Sequence, residues 1–357
     1  MKVGIITLSL ENNYGGILQN FALQHVLKEM GHTPKTCRWT AYTRLGFYKA
    51  VLLWILKGGK DTFPTTPSIY NKNRKGLEDF IKTHINYRYY RNPKRFLKHF
   101  KPEAMIVGSD QVWRPKYNSH LYAAYLDFTQ GYTMKRLAYA ASFGVDEWEY
   151  TNEQEQCCRE LISKFDAVSV REESGVKLCK EHFGVEAKWV VDPTLLVRRF
   201  VYEELCSIIS KEEPFILVYM LDFSEQVKSA AKKLSTFTGL PVWIMKANKG
   251  VKPNDSVEKW IAAFRDARYV ITDSFHGTIF SIIFEKEFFC VGNKNRGMAR
   301  FESLLSHFGL GDRMVTPQSI GLINQYTSID WDRVNKVRMQ LHEDSIRFIQ
   351  NNLNIII

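Results

Sequence analysis

The chain of 357 residues has little of what would mark it as a secreted, redox or metal protein. Its six cysteines, Cys37, Cys157, Cys158, Cys179, Cys206 and Cys290, are scattered without a CxxC pair. That pattern argues against a zinc ribbon or a disulfide framework and for a reducing, cytoplasmic setting. No HExxH motif and no spaced carboxylate pair suggests a metal, and no cofactor is expected. Zinc-finger spacing, a basic zipper and an RNA-recognition signature are missing, so nucleic acid is not an expected partner. The longest apolar run, Ala50 to Leu56, falls far short of the roughly 18 residues that span a bilayer. The sequence opens on Met1-Lys2 and a strand with no charged leader, so a secretory signal is not expected. A soluble protein with at most peripheral membrane contact follows, at the inner face of the plasma membrane if at any.

What is present is a basic α/β sequence. The formal net charge of +11, from 49 Lys and Arg against 38 Asp and Glu, favours an anionic substrate, a phosphorylated ligand or a negatively charged membrane. Single cores rarely grow past roughly 250–300 residues, so two domains are expected. Short apolar strands, among them Val3 to Leu8, Ala104 to Val107, Ala167 to Val170, Phe215 to Tyr219 and Phe288 to Val291, alternate with helices of 3.6-residue period. The alternation predicts two Rossmann-like, doubly wound domains facing a cleft. Residues 1–197 form the first, with a variable insertion near 41–92; residues 198–330 form the second; a helix within 331–357 bridges them. A helix capped by Asp255, with Glu258 three residues on, is expected to carry Val257, Trp260, Ile261 and Phe264 on one face. Trp54 with Leu52, Leu53, Ile55 and Leu56, flanked by Lys49 and Lys57, has two readings. One is a segment that dips into a membrane surface, as a lipid-linked acceptor would require. The other, the favoured one, is burial in a core or a dimer contact, because the run is nearly apolar all round and offers no polar face to an interfacial helix.

Chemistry is expected where strands end. Tyr269 to Thr272 runs into Asp273-Ser274-Phe275-His276-Gly277-Thr278 and an apolar helix, so His276 faces whatever anion the helix amides attract and can move a proton near neutral pH. Arg171, at another strand end, can hold a carboxylate or phosphate through two parallel hydrogen bonds. The turn Asn13-Tyr14-Gly15-Gly16 with Gln19 lets backbone approach a ligand closely at a helix N-terminus, but lacks the GxGxxG spacing of a dinucleotide site. Asp110, after Ala104 to Val107, is placed to orient an acceptor hydroxyl or to cap the next segment.

Five motifs occur in one order: Asn13-Tyr14-Gly15-Gly16 with Gln19, Val107-Gly108-Ser109-Asp110-Gln111-Val112-Trp113, Ser169-Val170-Arg171-Glu172, Asp192-Pro193-Thr194 and Ser274-Phe275-His276-Gly277-Thr278. In this the chain resembles the polysaccharide pyruvyl transferases. The resemblance implies a GT-B-like architecture and transfer of an enolpyruvyl unit from phosphoenolpyruvate to a sugar of a capsule or exopolysaccharide as a ketal. The acceptor would be a saccharide, free or linked to a polyprenyl diphosphate. It also implies His276 as catalytic acid or base, Arg171, Ser274, Gly277 and Thr278 around the donor, and Asn13, Tyr14, Gly15, Gly16, Gln19 and Asp110 around the acceptor or cleft. The chain departs from part of the family in having Ser274 where an arginine commonly stands two positions before the histidine. Another cation is then expected to compensate, with Arg300 first and Arg296 second. Two other readings stand beside this one. A GT-B-type glycosyltransferase would need a nucleotide site, for which Glu258 and Trp260 are available; a non-catalytic anionic-glycan binder would need only the basic cleft.

Overall fold

The computed structural model describes residues 1–11, 13–38, 44–56, 72–90, 92–209, 213–222, 224–246, 255–292, 297–316 and 327–353. Its central strands read as uninterrupted apolar runs; Ala104–Val107 is buried at all four positions. Parallel strands covered by helices on both faces have this pattern. The first sheet holds β1 (Lys2–Ile6), β2 (Thr33–Arg38), β3 (Tyr87–Tyr89), β4 (Ala104–Val107), β5 (Lys135–Ala141), β6 (Ala167–Val170) and β7 (Lys188–Trp189). Every pairing is parallel, in the order β3-β2-β1-β4-β5-β6-β7. The second holds β8 (Ile216–Met220), β9 (Val242–Lys246), β10 (Tyr269–Thr272), β11 (Glu287–Val291) and β12 (Met314–Val315), also parallel, in the order β12-β11-β10-β8-β9.

Strand order reverses direction between β1 and β4 in one sheet and between β8 and β10 in the other. Loops leaving neighbouring strands diverge at such a point and leave a crevice at the carboxyl ends, where ligands of open α/β sheets bind. Four helices frame the two crevices: α1 (Tyr14–Glu29), α9 (Val257–Asp266), α10 (Phe275–Ile283) and α11 (Ala299–Phe308). The last helix, α12 (Trp331–Leu353), ties the halves together. Its Ser345 hydroxyl accepts from the Val191 amide at 3.1 Å, and Arg333 donates to the Phe308 carbonyl at 3.1 Å.

Two local expectations change, at the cap of α9 and around Trp54. The cap of α9 is Ser256, whose hydroxyl accepts from the Lys259 amide at 3.2 Å; Asp255 instead pairs with Lys259 at 2.6 Å. Within the stretch expected to be an insertion, α3 (Lys75–His84) buries Leu77, Phe80 and Ile81, and β3 extends the sheet edge. The apolar run around Trp54 forms α2 (Arg44–Leu56), and core burial is overturned there: Leu52, Leu53, Ile55 and Leu56 are 57, 56, 58 and 73% exposed. Composition counts apolar side chains but does not orient a helix. Here Val51 and Trp54 are the half-buried side, which turns the leucines outward.

Candidate active site

The two crevices face one another, and charged side chains from both fill the junction. At the β4 end, Gly108, with φ 126°, and Asp110, with φ 79°, bend the chain out of the sheet. A non-glycine residue at such a φ is costly and persists only where its surroundings hold it. Gln19 supplies part of that hold: its amide nitrogen donates to Thr7 Oγ1 and the Gly16 carbonyl, both at 2.9 Å, while its oxygen accepts from the Ser109 amide at 2.9 Å. Gln19 is wholly buried and fully engaged inside the protein, which makes it a brace between α1 and the β4 loop.

Arg171 leaves the end of β6 and is 2% exposed. Its guanidinium meets Asp192 Oδ2 at 2.7 Å and Asp110 Oδ1 at 3.0 Å, and the Ser109 hydroxyl lies 3.1 Å from the same Asp192 oxygen. Burial opposes every one of these charges, but the charges offset it for one another. Burial works against Arg171, and Asp110 and Asp192 outweigh it, raising the guanidinium above its usual range. Burial raises the Asp110 carboxyl, yet the Arg171, His276 and Arg300 charges bring it below the ordinary carboxylate range. Asp192 is lowered as well: burial acts upward, and the charge and contact of His276, then Arg171 and the Thr194 amide, overcome it.

His276 is the second residue of α10, whose N-cap is Ser274; the Ser274 hydroxyl accepts from the Gly277 amide at 3.2 Å, leaving its proton to donate. Imidazole Nε2 lies 3.5 Å from Asp192 Oδ2, an ion-pair distance for a protonated ring rather than a well-formed hydrogen bond. The other edge of the ring lies against Gly15, where a Cβ would come within 2.0 Å of Nδ1. Gly15 therefore leaves the space that the histidine occupies. Gly16 has the looser surroundings, with Asn13 Nδ2 at 3.3 Å and Asp110 Oδ2 at 3.5 Å from a Cβ built there. Gly277 packs on Thr272 and Thr278 donates back to the Ser274 carbonyl at 3.2 Å, so both shape the first turn of α10.

Arg300 joins the cluster from the first turn of α11. The Phe275 ring lies 4.8 Å from the Arg171 guanidinium and 5.3 Å from that of Arg300. Burial, and then the charge of Arg171, lower Arg300 to about 10. Contacts with the first half fix α11 in place. The Ser303 hydroxyl accepts from the Glu173 amide at 3.2 Å and from Trp189 Nε1 at 3.0 Å, and His307 stacks on Trp189 at 3.7 Å. Gly297 seats so closely on the Gly144 carbonyl that a Cβ would come within 1.8 Å of it.

The structure thus brings Gly15, Gly16, Asp110, Arg171, Ser274, His276 and Arg300 together. Asn13 is exposed at the rim, and Arg296 lies outside the described residues. Tyr14 is an anchor between the halves: it stacks on Trp260 at 5.6 Å and its hydroxyl donates to the Asp255 carbonyl at 2.9 Å. Trp260 is wholly buried by that stack and by Phe280 at 4.9 Å, so it is not open to a nucleotide base. Asp192, Ser109 and Phe275 are the site residues that reading for function passed over. The signal for Asp192 was its place in a motif, an acid directly after a strand and before Pro-Thr.

Among the described residues, no helix is long and apolar enough to cross a membrane, and no three His, Cys, Asp or Glu side chains gather as a metal site. Two facing parallel sheets with their switch points apposed define a GT-B-like α/β protein, and solved structures of that architecture are similar over the whole chain. A UDP-GlcNAc 2-epimerase from Neisseria meningitidis bound to UDP-GlcNAc matches with a TM-score of 0.56 at 12% identity, covering 99% of each chain. S. aureus MnaA with UDP matches at 0.53 and 10% identity, over 99% of this chain and 97% of that one. The spinosyn rhamnosyltransferase SpnG with spinosyn aglycone matches at 0.51 and 9% identity, over 99% and 100%. No curated protein matches the sequence. Residues 13–295 match the polysaccharide pyruvyl transferase family, and the chain belongs to that family: it is a transferase that places pyruvate on polysaccharide.

Proposed function

We propose that the donor is phosphoenolpyruvate, that the acceptor is a pair of hydroxyls on one sugar of a surface polysaccharide or its polyprenyl-linked precursor, and that the product is a pyruvate ketal. The observation that carries this reading is the pair of buried guanidiniums, Arg171 from one half and Arg300 from the other, against the Phe275 ring. Arg300 is lowered first by its burial and then by the charge of Arg171, and an anion between the two guanidiniums relieves both. The N-termini of α1, α10 and α11 add partial positive charge at the same place. A small trianion with a carboxylate and a phosphate suits that field.

Overall, two hydroxyls and the enol phosphate become a ketal and inorganic phosphate. One hydroxyl proton ends on the methylene carbon, which becomes the ketal methyl group; the other leaves with phosphate as the C–O bond to phosphate breaks and two C–O bonds to the sugar form. His276 is the group to carry a proton between these partners, and Asp192 stabilises the imidazolium that carrying it creates. Asp110 orients the attacking hydroxyl, and Ser274 donates its free proton to the phosphate. The flanking side chains are buried in the closed arrangement, so the ligands enter when the two halves separate.

His276→Ala tests the assignment. Phosphate release from phosphoenolpyruvate in the presence of acceptor polysaccharide should fall by about 10²–10⁴-fold, with donor affinity nearly unchanged. A collapse of donor affinity with normal turnover at saturation would make His276 a binding residue instead.

A further inference from the structure

We infer that α2 seats this protein on an anionic bilayer surface. At 100° per residue, Tyr48, Leu52, Leu53, Ile55 and Leu56 fall within about 160° of the helix circumference, and all five are more than half exposed. Val51 and Trp54, on the other side, are half buried. An interfacial helix needs one apolar face and a different second face; here the half burial of Val51 and Trp54 sets the second side apart, so the five exposed apolar side chains form one stripe. A contiguous exposed apolar face of this kind marks an interaction surface.

Charge selects the occupant. Between Glu29 and Asp61 the sequence has no acidic residue and carries Lys35, Arg38, Arg44, Lys49, Lys57 and Lys60. Arg38 is committed internally to Glu78 at 2.8 Å, and exposed Lys49 rises within the apolar stripe itself, where its stem can lie along the leucines with the ammonium reaching outward. Two copies of so basic a segment, brought face to face, repel each other. Anionic lipid headgroups attract it, and the acyl region accepts the leucines. Nothing in this surface depends on the chemistry at His276.

Co-sedimentation of the full chain with vesicles tests the inference, using phosphatidylcholine alone and a 3:1 mixture with phosphatidylglycerol (roughly a quarter anionic lipid, enough to give a negative surface). The protein should bind the mixed vesicles, bind pure phosphatidylcholine more weakly, and release in high salt. Leu53→Glu with Leu56→Glu removes two exposed apolar side chains and should weaken binding by about 100-fold. Lys49→Glu keeps the apolar stripe and should weaken binding to the mixed vesicles by roughly tenfold. Circular dichroism should show both variants folded, since neither touches a buried residue. Three results would overturn the inference: no binding to the mixed vesicles, binding that the leucine pair leaves unchanged, or a dimer in sedimentation equilibrium that the leucine pair dissociates while vesicle binding stays as it was.

Discussion

Asp192 holds the chemistry of the junction together, because Arg171 and His276 both lean on one of its oxygens. Removing one partner of a buried ion pair costs about 3–5 kcal/mol, and Asp110 remains to Arg171, so Asp192→Asn should destabilise the protein by about 3 kcal/mol at pH 7. The pH dependence follows from the direction of its shift. A carboxyl whose folded value is depressed contributes stability that is fully present above its unfolded value, near 3.9, and is lost only as pH falls through the lower folded value. Denaturation of wild type and Asp192→Asn should therefore differ by a constant amount from pH 5 to 7 and converge in stronger acid; a gap that widened on acidification would contradict this. Arg300 makes the complementary case at the same scale. If it replaces the guanidinium that Ser274 does not offer, Arg300→Ala should weaken phosphoenolpyruvate binding by about 1.5–3 kcal/mol, with Arg300→Lys recovering part of it. Unchanged affinity in calorimetry would remove Arg300 from the donor site. Neither residue's partner was legible in the sequence. Asp192 lies 21 residues from Arg171, and the register of β6 with β7 brings them together.

Helix starts decide what the site can hold. Gly15 and Gly16 read in the sequence as freedom for backbone to approach a ligand, yet their surroundings differ. Alanine in place of a helical glycine would stabilise by up to about 1 kcal/mol on propensity alone. Gly16→Ala meets the Asn13 amide at 3.3 Å, which must give by a few tenths of an ångström, and an Asp110 oxygen at an ordinary 3.5 Å; Asn13 is exposed and free to shift by that much, so the melting temperature should stay level or rise. Gly15→Ala drives a methyl into the His276 ring, and overpacking of this kind costs about 1–3 kcal/mol. It should lower the melting temperature and turnover together; equal behaviour of the two variants would show that the ring is not held against α1. Helices and strands themselves were readable. Continuous apolar runs such as Ala104–Val107 mark buried parallel strands, and the i, i+3, i+4, i+7 pattern marked α9 with its cap one residue off. The facing of α2 was not readable, because a run apolar on most sides has no moment to orient it.

At the scale of the molecule, two open sheets each carry a switch point, and the cluster of buried charges gathers where the two are pressed together. The alternation of strands and helices made the architecture legible, and five ordered motifs marked which loops mattered. That the halves face a cleft and that a last helix bridges them was expected, but the contacts that press them together were not legible, since they join residues far apart in sequence: Tyr14 on Trp260, Gly297 on Gly144 and Ser303 under Trp189. Arg171 and Arg300 come from opposite halves, so an anion between them should bind and stabilise the whole chain. The most direct measurement is titration calorimetry of the full chain with phosphoenolpyruvate, paired with thermal unfolding and repeated with UDP-sugars. Phosphoenolpyruvate should bind and, at 100 times its dissociation constant, add about 2.7 kcal/mol of stability, with both effects lost in Arg171→Ala and diminished in Arg300→Ala. No response to phosphoenolpyruvate, alongside clear binding of a UDP-sugar, would contradict the assignment of the donor.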